Sequence, residues 1–203
     1  MRFTRFSVLV LALMAVSAHL VASDIFENAT IGFYVEKPVD WHYVTVEQNM
    51  ENLERTQLSS EEYQELLLKY ANAPLIAMTK HEEPFDDLNP SLKVNIKPYG
   101  DLDRSDPKLI LKLVIPSFEK MFDDFEILEG PSDTSISGIS SGYVRIAYSL
   151  PIADGRVFPT TSELWIVPRG DHFFMVGSGT RSDEKTGTRK EIKAIMDTVV
   201  IRH

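Results

Sequence analysis

The sequence predicts an α+β fold organised around an antiparallel sheet. Three observations carry that prediction. Strand-like runs at 142–150, 156–167 and 172–179 fill the last third, separated only by Ala153-Asp154-Gly155 and Arg169-Gly170-Asp171. Turns that short force neighbouring strands to run antiparallel. Helical periodicity falls in separate blocks, without the regular strand–helix alternation of a doubly wound parallel sheet.

The first 23 residues read as an export signal. Arg2 and Arg5 give a positive start with no acid near it. The run 6–16, FSVLVLALMAV, is apolar apart from Ser7, and Ser17, Ala18, Ala22 and Ser23 supply the small residues of a cleavage region. The run falls short of the ~20 residues a spanning helix needs, and an uncleaved amino-terminal anchor is the alternative. Cleavage after Ser23 leaves one domain, 24–203, and takes the net charge from −9 to −11. A domain of this size buries enough surface to stand without staples, which matters because the chain has no cysteine. The same absence removes a lipoprotein anchor. The expected address is bacterial, periplasmic or secreted, with no membrane span after cleavage.

The elements follow in order. Residues 31–35, IGFYV, are aromatic and β-branched and read as a first strand ended by Pro38. Asn28-Ala29-Thr30 fits a glycosylation acceptor, relevant only in a eukaryotic pathway. Residues 42–46 form a second short strand, and Val46, Met50 and Leu53 start a helical stretch to about Gln57. Ser59 and Glu62 have capping-box spacing ahead of Tyr63, Leu66, Leu67 and Tyr70, a helix stopped by Pro74. Residues 75–79 form a strand, and 81–90, acidic with two prolines, a loop. In 91–97, SLKVNIK, Leu92, Val94 and Ile96 share one face of a half-buried strand. Ser105 or Asp106 caps a longer helix with Pro107 at its first position. Its apolar period runs from Ile110 to Phe125, and Pro116 is expected to kink or split it. A short segment, 126–128, leads into a stretch rich in Gly, Pro and Ser. Thr188 and Glu191 form a second capping box, and Ile192, Ile195, Met196 and Val199 a C-terminal amphipathic helix.

Each motif tested for chemistry has a structural reading that outweighs it. Gly138-Ile139-Ser140-Ser141-Gly142 matches G-x-S-x-G. The nucleophile elbow needs a strand-to-helix turn, and here a strand follows. The histidines of the domain, His42, His81, His172 and His203, show no i, i+4 pair. His81-Glu82-Glu83 resembles the start of HExxH, but Phe85 stands where the second histidine belongs. Asp101, Asp103 and Ser105 begin like a calcium loop that fails at Asp106 and Lys112. Asp86-Asp87, Asp123-Asp124 and Glu82-Glu83 read as solvated acids. Gly177-Ser178-Gly179 lacks a third glycine and a following lysine and reads as a strand end. Arg181, Lys185, Arg189, Lys190 and Lys193, interleaved with acids, read as a solvated helix face. The acidic balance excludes nucleic acid as a partner, because phosphate binding needs clustered cations. The aromatics of the strands are expected in the core, with Trp41 the first candidate for an exception.

Two segments resemble the PsbP-like proteins. Residues 32–41, GFYVEKPVDW, are similar to that family's opening G-F-S-F-x-x-P-x-x-W. Residues 163–176 followed by 192–200 resemble its closing strand, tight turn, strand, helix and final short strand. The resemblance implies an α/β/α sandwich and covers most of the domain as a pattern. It also implies docking to another protein in place of catalysis, since members include a photosystem II subunit and a Ran-binding protein. No common catalytic residue exists to carry over. The expectation is therefore a non-enzymatic exported protein with a protein partner and no catalytic, cofactor-binding or metal-ligating residue. The alternative is a module that binds a small ligand or a metal.

Overall fold

In a computed structural model, the structure describes residues 24–58, 61 and 74–202. The signal segment, and the helix expected behind Ser59 and Glu62, lie outside the described residues. The strands are β1 (Asp24–Asn28), β2 (Phe33–Lys37), β3 (His42–Tyr43), β4 (Ile76–Thr79), β5 (Ser91–Pro98), β6 (Asp123–Ile136), β7 (Ile139–Pro151), β8 (Val157–Arg169), β9 (His172–Arg181) and β10 (Val200–Ile201). The helices are α1 (Val46–Arg55), α2 (Lys108–Met121) and α3 (Arg189–Met196). All strand pairs are antiparallel. This is the α+β architecture expected, but it holds two sheets, one of seven strands in the order β3-β4-β5-β9-β8-β7-β6 and one of three in the order β1-β2-β10. The small sheet went unread because β1 is polar and half-exposed, with only Ile25 and Phe26 to mark it.

Ladder partners share a face, so the register sorts the large sheet into two surfaces. One presents Ile76, Met78, Leu92, Val94, Phe174, Val176, Trp165 and Tyr143. These pack with Ile192, Ile195 and Met196 of α3 and with Phe33, Val35 and Ile201 of the small sheet. Trp41 belongs to this core and is almost fully buried, so it is not the exposed aromatic expected. The other surface presents Val144, Ile146, Leu164, Ile166 and Phe173 to Tyr99 and to Ile110, Leu111 and Ile115 of α2.

Several local expectations are corrected. Of the kink or split expected at Pro116, the split does not occur, and α2 continues through it to Met121. Pro116 is exposed, as is Lys112 one turn earlier, so water can meet the carbonyl that proline leaves unpaired. The helix stops at Met121, and Phe125 lies on β6, beyond Asp124 at φ 54°. The Gly/Pro/Ser stretch is the body of β6, a 14-residue strand with three register shifts against β7. Such bulges make an edge strand tolerant of Gly130 and Pro131. Ser137 and Gly138, both at positive φ, form the two-residue turn to β7.

Candidate functional site

The residues of β5 and β9 explain where a cavity forms. On β5, Ser91, Lys93 and Asn95 alternate with the core-facing Leu92 and Val94. On β9, Met175, Gly177 and Gly179 alternate with Phe174, Val176 and Ser178. The register sets Lys93 beside Gly177, which also pairs with Leu164, and Ser91 beside Gly179, which also pairs with Ser162. Two glycines in the middle of a sheet face remove the side chains that would fill it. A Cβ built on Gly177 meets nothing within 4 Å, and one on Gly179 comes no nearer than 3.5 Å to Ser91 Oγ. Above this floor stands a cavity of about 400 Å³, within the range of about 300–1,000 Å³ usual for small-molecule sites.

Three elements wall it. On one side is α1, whose capping box at Thr45 and Gln48 is fully made. Its carboxyl end is tied to the β7–β8 hairpin by Gln57 N–H donating to Pro151 O and Ala153 N–H to Arg55 O, both at 3.0 Å. A second wall is apolar. Phe122 stacks on Tyr148 at 4.1 Å, with Phe118 and Leu150 beside them. Burial pushes the Tyr148 phenol above its ordinary pKa, and its OH bonds Ser162 Oγ at 3.0 Å.

The third wall is the loop 81–90, and it is stapled down. Arg156 donates to Asp86 O at 2.7 Å and to Asp86 Oδ1 at 2.8 Å. Arg181, a buried residue of β9, bridges Asp87 at 2.7 Å and Asp183 at 2.7 Å, which holds the Asp183 carboxyl well below the usual range. Glu83 accepts from Asn52 Nδ2, Asn89 Nδ2 and Phe85 N–H at 2.9–3.2 Å. Glu83 and Asp87 are therefore structural partners, whereas Glu82 and the Asp86 side chain stay exposed, as the solvated reading expected. The basic group is likewise distributed: besides Arg181, Arg189 pairs with the buried Glu163 at 2.8 Å and Lys193 with Asp197.

Lys93 stands out on the cavity floor. Burial lowers its pKa, and no neighbouring charge offsets the effect. It lines the cavity with Asn95 from the same strand. The sequence offered one signal for this site, the two glycines at i, i+2 on one strand face. They lie inside β9 and do not end it, since the strand continues to Arg181.

The other sequence candidates are placed elsewhere. Ser140 of G-x-S-x-G pairs with Ser135 in the β6–β7 hairpin, and Ser141 Oγ donates to Ile139 O at 2.9 Å. Gly142 allows the α2 amino end to approach, because a Cβ there would lie 3.1 Å from Pro107 and Lys108 backbone atoms. His81 Nε2 lies 2.7 Å from Thr186 O, and its ring stacks on Phe85 at 4.2 Å. His172 Nδ1 contacts Asp171 at 3.0 Å, and His42 is exposed on β3. Asp103 accepts from Ser105 N–H at 2.8 Å in a local turn. Among the described residues no group of three or more His, Asp and Glu is placed to hold a metal. Among them, too, no helix is long and apolar enough to cross a membrane.

Fold and cavity together define a class: an α+β sandwich with a pocket on one sheet face. Solved structures name its fold. The chain is similar to LpqN of Mycobacterium tuberculosis, described as involved in cell envelope biogenesis, at 13% identity and a TM-score of 0.53, over 90% of this chain and 91% of that one. It is similar to the cyanobacterial PsbP (CyanoP) of Synechocystis sp. PCC 6803 at 12% identity and a TM-score of 0.52, over 92% of this chain and 96% of that one. The fold is PsbP-like, as the opening and closing segments implied. No protein-family model matches the sequence, and no curated protein matches it.

Proposed function

We propose that this chain is an exported, non-catalytic binding protein that holds a small, largely apolar ligand on the β5–β9 face. The observation that carries the reading is the cavity of about 400 Å³, floored by Gly177 and Gly179. Ligand sites are concave, mostly apolar and carry a few placed polar groups, and Lys93 and Asn95 are such groups. Glu83 and Asp87 at the rim are already engaged, so among the described residues the cavity presents no free acid–base pair for a reaction. Export is supported by the amino-terminal segment and by likeness in fold to a protein involved in cell envelope biogenesis. The ligand reading takes precedence over protein docking. The cavity lining converges on one place, whereas the exposed apolar residues, Ile25, Val39, Tyr43, Val46, Leu113, Ile127, Leu128 and Val157 among them, are spread over several elements.

The test is titration of the protein with an environment-sensitive apolar fluorophore such as 1-anilinonaphthalene-8-sulfonate. Saturable 1:1 binding to the folded protein, lost in Gly177→Leu, is the expected result. Binding that Gly177→Leu leaves unchanged, or no binding at all, refutes the cavity as the site.

A further inference from the structure

The chemistry of the ligand follows from the one charge on the cavity floor, and this step rests on the ligand-binding reading. Lys93 lies in the ladder row Ala77, Lys93, Gly177, Leu164, all facing the cavity side of the sheet. Its ammonium has no hydrogen-bond or ion-pair partner among the described residues, and desolvation alone shifts its titration. The carboxylates at the rim are committed elsewhere: Asp87 to Arg181, and Glu83 to Asn52, Asn89 and the Phe85 N–H. A partly buried cation without a counter-charge is unfavourable, and an incoming anion relieves that cost. Beside the ammonium, the bare Gly177 and Gly179 leave room for a chain, and Phe118, Phe122, Tyr148, Leu150 and Met175 supply an apolar surface for it.

We infer that the cavity takes a singly charged anionic amphiphile, an alkyl carboxylate, with its head on Lys93 Nζ and its chain lying over Gly177 and Gly179. A lysine suits a small anion as a compact point charge, whereas a planar fork would favour bidentate recognition. The apolar side of the lining fits the chain.

The experiment is calorimetric titration of the protein with decanoate and with 1-decanol, repeated on Lys93→Met and Gly177→Leu, with Tm recorded for each variant. Decanoate is expected to bind 1:1 at least tenfold more tightly than 1-decanol. Lys93→Met should weaken decanoate at least tenfold and leave 1-decanol unchanged or tighter, at a Tm no lower than that of the parent. Gly177→Leu should lose both. Equal binding of the two probes, with no effect of Lys93→Met, overturns the anionic assignment and leaves the cavity reading standing. Failure of both probes to bind the parent protein overturns both.

Discussion

On one face of the seven-stranded sheet, Leu92, Val94, Phe174 and Val176 meet α3 and the small sheet and are buried almost completely. On the opposite face the same two strands, β5 and β9, present Lys93, Asn95, Gly177 and Gly179 beneath a cavity. The strands are shared, and only the alternate residues differ. A sheet face closes into a dry core when its side chains carry enough volume to reach the covering layer. Where β9 supplies glycine and β5 supplies lysine and asparagine, that volume is missing. Among the described residues, covering elements meet the sheet at the ends of the gap, at α2 and at α1, with the cavity between them. The dry face provides stability, and the open face provides the site.

That contrast can be broken at single positions. The largest effect is expected on the dry face. Phe174→Ala should cost about 3–5 kcal/mol in denaturant unfolding, because the cavity it leaves cannot drain to water. A loss below 1 kcal/mol would mean that this face is not the stabilising core. On the open face the cost should depend on which glycine is changed. Gly142→Ala places a methyl 3.1 Å from the Pro107 and Lys108 backbone and should cost about 1–3 kcal/mol. Thr45→Ala removes the hydroxyl that accepts from Gln48 N–H and should cost about 1 kcal/mol by loosening α1, the cavity wall. Gly177→Ala enters open space at a strand position and should stabilise by about 0.4–1 kcal/mol. Equal losses from the two glycine variants would remove the distinction between the filled and open ends of this face.

The smallest expected effect is a slope. On the dry face Tyr143 is pushed up to about 12 by burial, then by its hydrogen bond to Glu163 Oε1 at 2.6 Å. The unfolded phenol titrates near pH 10. A folded value above the unfolded one means the contribution is fully present below about pH 10 and is lost as pH rises toward 12. Tyr143→Phe should flatten the pH dependence of stability in that window, measured by urea midpoints between pH 9 and 12. An unchanged slope would place the alkaline sensitivity elsewhere.

Much of the fold is legible in particular residues. The turns at Ala153-Asp154-Gly155 and Arg169-Gly170-Asp171 order β7, β8 and β9, and the Thr188–Glu191 box starts α3 with Glu191 Oε2 accepting from Thr188 N–H at 2.6 Å. Local signals carry these elements, because a tight turn or a cap is satisfied within a few residues. β6 was illegible for the opposite reason. Gly130, Pro131 and Ser132 are loop-like by composition, and they form a strand only because β7 is there to pair with them. The period of Val46, Met50 and Leu53 placed the start of α1 at Val46, and the T-x-x-Q box at Thr45 and Gln48 that caps it stood in the sequence beside that period.

The candidate site was less legible than the fold. The i, i+2 glycines of β9 and the polar alternation of β5 stand in the sequence, but alternation says only that one face differs from the other. Whether the polar face meets bulk water or the floor of a cavity depends on what arrives above it. Here that is α1, α2 and the loop 81–90, whose ion pairs reach across 70 residues to Arg156 and 94 to Arg181.

By itself the sequence determined the absence of disulfides, the antiparallel C-terminal strands and the amphipathic helices α1 and α3. Each of these depends on neighbours a few residues apart or on composition alone. Only the tertiary structure decided that Trp41 is core, that Asp86 and Asp87 staple a loop, and that Lys93 and Gly177 share a cavity. Those outcomes join residues distant in sequence. The free energy of burying a charge or a ring is set by what surrounds it, and the sequence does not state those surroundings residue by residue.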